Sequence, residues 1–207
     1  MTATRRLAVV AAGMSQPSST RMLADRLAAA TVTELSRRGV EVDVTVIELR
    51  DHAKDVTNMM LSGFASPALE SVIGSVTGAD GLIAVSPVFS ASYSGLFKSF
   101  FDVIDQRSLE GMPVVIGATA GTARHSLVLD HALRPLFSYL HASVMPTGVF
   151  AATDDWGSAD GAPLLARIER AAHELADRVE ATDRTGANVD PWGFGTAMSE
   201  AGGFQPG

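Results

Sequence analysis

The chain has 207 residues, a length suited to one domain that buries its own core. Its net charge is −7 with 19% charged residues and no basic patch, which argues against a nucleic-acid partner. Cysteine is absent, which excludes disulfides, thiolate metal sites and a cysteine nucleophile, and fits a reducing, cytoplasmic setting.

Residues 1–6 lead into an apolar run that stops at Gly13. It is too short to span a membrane and lacks the regions of a signal peptide, so no membrane association is expected. Within it, residues 7–12 read as a strand buried on both faces. Ser18, Ser19 and Thr20 then open a helix to about Arg38, with Leu23, Leu27, Ala30 and Leu35 apolar and Gly39 as its stop. In residues 41–47, Val42, Val44 and Val46 alternate with Glu41, Asp43 and Thr45, which predicts a strand exposed on one face near the sheet edge. A long connection, 48–66, follows. Pro67 starts a short helix to about Thr77, and 81–85 is a third strand, buried like the first. A helix over 94–104 carries Leu96, Phe97, Phe100, Phe101 and Ile104. Residues 113–118 form a fourth strand, 124–140 a helix and 144–150 a fifth strand. The clearest helix is 162–180, where Leu165, Ile168, Ala172, Leu175 and Val179 recur at spacings of three and four. Residues 182–207 are glycine-rich and aperiodic. They read as a tail, disordered or laid on a neighbouring subunit, after a single domain over 1–181.

Alternating strands and helices predict a doubly wound, three-layer α/β/α domain on a five-stranded parallel sheet. Ligands of such sheets sit at the carboxyl ends of the strands, so the loops after strands one, three and four matter most. The first loop carries hydroxyls at Ser15, Ser18, Ser19 and Thr20, at the start of a helix. Free backbone N–H groups and the helix dipole favour an anion there. Simple capping needs only one such residue, and four exceed that need. The loop lacks the glycine spacing of a dinucleotide fingerprint and the lysine of a nucleoside triphosphate loop, so a phosphate monoester suits it best. The third-strand loop offers Pro87, Val88, Phe89 and Ser90 as an apolar wall. The fourth offers Thr119, Ala120, Gly121 and Thr122, small enough for a flat ring to approach the backbone. Together the three loops suggest flavin mononucleotide, FMN.

Other chemistries fit less well. No G-x-S-x-G elbow is present, as an α/β-hydrolase requires. The third strand ends in Ser86-Pro87, where a phospho-acceptor domain has aspartate. His173-Glu174 lacks the second histidine of a zinc-protease helix, and the other four histidines show no metal spacing.

With these loops in view, the chain resembles the NAD(P)H-dependent FMN reductases. Among them it is most similar to those that feed reduced FMN to two-component monooxygenases of the alkanesulfonate type. The motifs are the loop over 15–20, the segments 64–69 and 79–83, the run over 86–98 that begins Ser86-Pro87-Val88-Phe89, and the stretches 118–125 and 128–135. The resemblance implies a flavodoxin-like sheet of order 2-1-3-4-5 and hydride transfer from NADPH or NADH to FMN. FMN would then be cofactor or substrate. It implies phosphate contacts from Ser15, Pro17, Ser18, Ser19 and Thr20, ring contacts from Pro87, Val88, Phe89 and Ser90, and ring-edge contacts from Thr119, Ala120, Gly121 and Thr122. No catalytic acid or base and no metal are implied. A homodimer or homotetramer is implied as well, with a flavin-dependent monooxygenase as partner and a π-helical bulge near His131 at the subunit interface. The apolar fraction of 46% fits buried subunit contacts or simply alanine-rich helices. Two alternatives stay open: a quinone, azo or chromate reductase of the same fold that retains its FMN, and a flavodoxin-like electron carrier that oxidises no NAD(P)H.

Overall fold

The computed structural model describes residues 4–156 and 162–184. β1 (Arg5–Ala11) runs parallel to the edge strand β2 (Val42–Glu48) on one side and to the central strand β3 (Gly81–Phe89) on the other. β3 ends in a tight hairpin with the two-residue β4 (Ser92–Tyr93). Beyond β3 lies β5 (Pro113–Ala120), which pairs with two short strands, β6 (Ser143–Val144) and β7 (Val149–Ala152). With the β4 hairpin set aside, this is the expected doubly wound order.

Alternation along β1 divides the core. Leu7, Val9 and Ala11 face one layer and Ala8, Val10 and Ala12 the other, all buried. On the first face pack α1 (Ser19–Arg37) and α6 (Ala162–Ala181), through Leu23, Leu27, Ile168 and Leu175. The second face holds α2 (Ala53–Ser62), α3 (Pro67–Thr77), α4 (Gly95–Asp102) and α5 (Arg134–Tyr139). Phe97, Phe101 and Phe137 meet there edge-on or tilted, with ring centroids 4.8–6.2 Å apart. No helix among the described residues is by itself long and apolar enough to cross a membrane.

Three segments differ from expectation. The connection over 48–66 contains α2, whose buried residues are only Val56 and Met59, too few for a visible helical stripe. The fifth strand breaks after Val144 and resumes at Val149, because Pro146 has no N–H for a ladder. The helix expected over 124–140 is three pieces: a single turn at Ala123–His125, a wide turn over Leu129–Leu133, and α5. In the wide turn the Arg134 N–H bonds the Leu129 carbonyl, an i→i+5 bond. A regular helix here would press the Pro135 ring against the His131 carbonyl, and the extra residue in the turn relieves that clash. The bulge implied by the resemblance is thus present in the fold. Most of the glycine-rich tail lies outside the described residues.

Candidate active site

The carboxyl ends of β1, β3, β5 and β7 meet at one pole of the sheet. After β1 the chain passes Gly13 and turns into α1. Ser18 caps that helix: its hydroxyl accepts the Arg21 N–H at 3.1 Å and its carbonyl the Met22 N–H at 3.0 Å. The N–H groups of Ser19 and Thr20 then have no protein acceptor among the described residues. The Ser15 hydroxyl donates to the Pro17 carbonyl at 3.0 Å, folding the loop back on itself. Thr20 is buried, and its hydroxyl lies 2.8 Å from that of Thr119, also buried. This pair ties the start of α1 to the end of β5.

The β3–β4 hairpin forms the second wall. Buried Ser86 shapes it by accepting the Ser94 N–H and donating to the Pro87 carbonyl, both at 2.9 Å. Ser90 and Ala91 occupy the two turn positions with φ of 48° and 68°, the positive values that a tight two-residue hairpin demands. Phe89, half-exposed, flanks the cavity mouth.

These elements enclose an open cavity of about 310 Å³. Of the residues expected from the sequence, Ser15, Ser19, Thr20, Pro87, Val88, Phe89, Thr119, Ala120 and Gly121 line it. Pro17, Ser18, Ser90 and Thr122 do not. Pro17 and Ser18 build the loop from behind, Ser90 sits at the hairpin tip, and Thr122 begins the turn beyond Gly121. Gly13, Met14 and Thr153 line the cavity and were missed. Thr153 follows β7, and the rule about strand ends would have found it had the loop after the last strand been considered with the other three.

The lining suits FMN. Two N–H groups and the hydroxyl of Ser19 offer donors for a phosphate dianion without any lysine. Val88 and Phe89 face an edge of small residues, 119–121, with open space where a Gly121 Cβ would stand. None of the lining residues is titratable. The site can therefore hold, orient and exclude water, but it has no side chain to exchange a proton. Arg21, beside the loop, pairs with Asp25 at 2.7 Å and Glu48 at 2.8 Å. The Asp25 hydrogen bond is foremost in holding its guanidinium above the ordinary value.

A doubly wound sheet whose strand ends frame a cavity without acid or base, beside a helix start whose first N–H groups have no protein acceptor among the described residues, fits a flavodoxin-like flavin oxidoreductase. A family model described as NADPH-dependent FMN reductase matches residues 5–157. The chain belongs to that family, and it is an enzyme that uses FMN and NAD(P)H. It is 40% identical over 178 residues to a Pseudomonas aeruginosa protein named FMN reductase (NADPH), covering 85% of this chain and 93% of that one. It is 41% identical over 177 residues to the NADH-dependent FMN reductase SfnF of Pseudomonas fluorescens, covering 83% and 91%. Among solved structures, an oxidoreductase from Corynebacterium diphtheriae superposes with a TM-score of 0.85 at 49% identity, covering 87% of this chain and 99% of that one. The apo NADH:FMN oxidoreductase EmoB superposes with a TM-score of 0.70 at 25% identity, covering 82% and 89%.

Proposed function

We propose that FMN lies in the 310 Å³ cavity with its phosphate at the start of α1 and its ring between Pro87-Val88-Phe89 and Thr119-Ala120-Gly121. The observation that carries this is the pair of unpartnered N–H groups at Ser19 and Thr20, at the cavity's end. FMN, when bound, supplies the hydride-accepting ring, and NAD(P)H supplies the hydride. The chain's own contribution is placement. Ser19 and the free N–H groups at the start of α1 fix the phosphate, the hairpin sets the ring's tilt, and the backbone of 120–121 offers N–H groups to the electron-rich edge that reduction creates.

The open mouth supports release of reduced FMN to a flavin-dependent monooxygenase, in keeping with the names of the SfnE- and SfnF-type relatives. Leu61, Phe64, Leu127 and Tyr139 are each more than 60% exposed, which supports a homodimer or homotetramer. Relatives named for NADPH and for NADH are about equally similar, so either coenzyme serves this reading. The test is NADPH or NADH oxidation by flavin-stripped protein, followed by loss of the reduced nicotinamide absorbance. Turnover should require added FMN and exceed that with FAD. Turnover without flavin, or FMN that stays with the protein through gel filtration after reduction, would count against release.

A further inference from the structure

Ser15 separates two cavities. On its far side from the ring slot, a second cavity of about 420 Å³ runs between the start of α1 and the end of β2. Arg21, Arg26 and Arg50 line it, against only two carboxylates, Asp25 and Glu48. Arg50 is held by Glu48 at 2.8 Å and donates to the Ser15 carbonyl at 3.3 Å. Arg50 also pairs with Asp51 at 3.6 Å and with the Gln16 amide oxygen, which takes up its donors, whereas Arg21, held by Asp25 and Glu48, keeps some of its five N–H donors free. Arg26 makes no ion pair among the described residues, and its guanidinium lies 4.9 Å from the centre of the Trp156 ring. Met22 and Ala29 lie on the same face of α1 as Arg26 and add an apolar floor. Arg26 also borders a third cavity, about 660 Å³, between α1 and α6, so the groove continues along the helix.

We propose that this second cavity binds the adenosine phosphate of an adenine dinucleotide, with Arg26 and Arg21 on the phosphate and the purine over Met22 and Ala29. The proposal rests on the placement of the FMN phosphate given above. A phosphate held at the start of α1 is one residue away from this cavity, so an adenylate joined to it through a pyrophosphate passes Ser15 and enters. That molecule is FAD. NADPH brings the same chemistry from its other end, with a 2′-phosphate on the adenosine. An isolated FMN leaves the second cavity unused. Discrimination among flavins and among coenzymes thus falls to residues outside the ring slot.

Titration calorimetry of the full chain with 5′-ADP and, separately, 2′,5′-ADP tests this, beside FMN as control. At least one ADP should bind, and Arg26→Glu should weaken it by about tenfold or more, the scale of one charge-assisted contact. Arg26→Gln, which keeps the helix and removes only charge, should weaken it less. Arg26 is exposed, so both variants should fold and should bind FMN as the parent does. A loss that carries over to FAD names the flavin dinucleotide as the source. A raised KM for NADPH, with NADH unchanged, names the coenzyme. Failure of both ADP probes, or unchanged affinity in Arg26→Glu, overturns the proposal. Failure of FMN alone strikes the ring-slot reading and leaves the ADP result to decide this one.

Discussion

A Cβ built on Gly13 would stand 2.0 Å from the Ser18 hydroxyl. To admit it, Ser18 must turn away and release the Arg21 N–H it caps. Gly13→Ala should therefore lower stability by about 1 kcal/mol, the worth of a cap, and also weaken FMN by distorting the loop. A thermal melt and an FMN titration on the same sample check both. Ser18 and Ser19 divide their labour differently. Ser19 lines the cavity while Ser18 accepts from the backbone. Ser19→Ala should weaken FMN with little change in melting temperature. Ser18→Ala should lower the melting temperature by the loss of a cap, and its effect on FMN should be the smaller of the two. Equal FMN losses in the two variants would contradict this division. The cluster of hydroxyls was legible in the sequence because four of them exceed a cap's need. Their separate duties were not, since these depend on where each Oγ points once the loop has closed.

At the scale of elements, the β3–β4 hairpin turns through Ser90 and Ala91, both left-handed. Such a residue without glycine's freedom costs about 1–2 kcal/mol. Ala91→Gly removes that strain and adds back some chain entropy, so a net gain of about 0.5–1 kcal/mol is expected in a denaturant melt. A loss of stability would mean the Ala91 methyl packs usefully. The usual hairpin signal, Asn-Gly or Asp-Gly, is missing here, and the segment read as a plain loop. The wide turn ahead of α5 was equally hidden from periodicity. An i→i+5 bond leaves the buried Leu129, Leu133 and Phe137 spaced as an ordinary helix would. Only the family resemblance pointed to it. The long elements, α1, α3 and α6, were legible within a residue or two because each has a cap, a proline start or an uninterrupted stripe.

For the whole molecule, the doubly wound sheet and the choice of functional pole followed from alternation of buried strands and helices, and the strand order from the family resemblance. The opposite pole was not foreseen. There Arg184, just past α6, donates to the carbonyls of Thr77 at 3.2 Å, Ser108 at 3.1 Å and Glu110. It fastens the chain beneath the amino ends of β3 and β5. Burial pushes its guanidinium below the ordinary value, yet three acceptors hold it in place. Arg184→Ala should cost about 2 kcal/mol of stability, seen as a lower melting temperature, with FMN affinity unchanged because the site lies at the other end. The interrupted last strand bears on how copies of the chain meet in a crowded solution. An unbroken outer strand would present a row of unpaired N–H and C=O groups, a template for edge-to-edge aggregation. In its gap, Arg134 donates to the carbonyls of Met145 and Pro146, while Glu174 accepts the Thr147 N–H and hydroxyl. Those backbone groups are already spoken for, so the gap breaks the continuous row that a stray strand would need to zip onto.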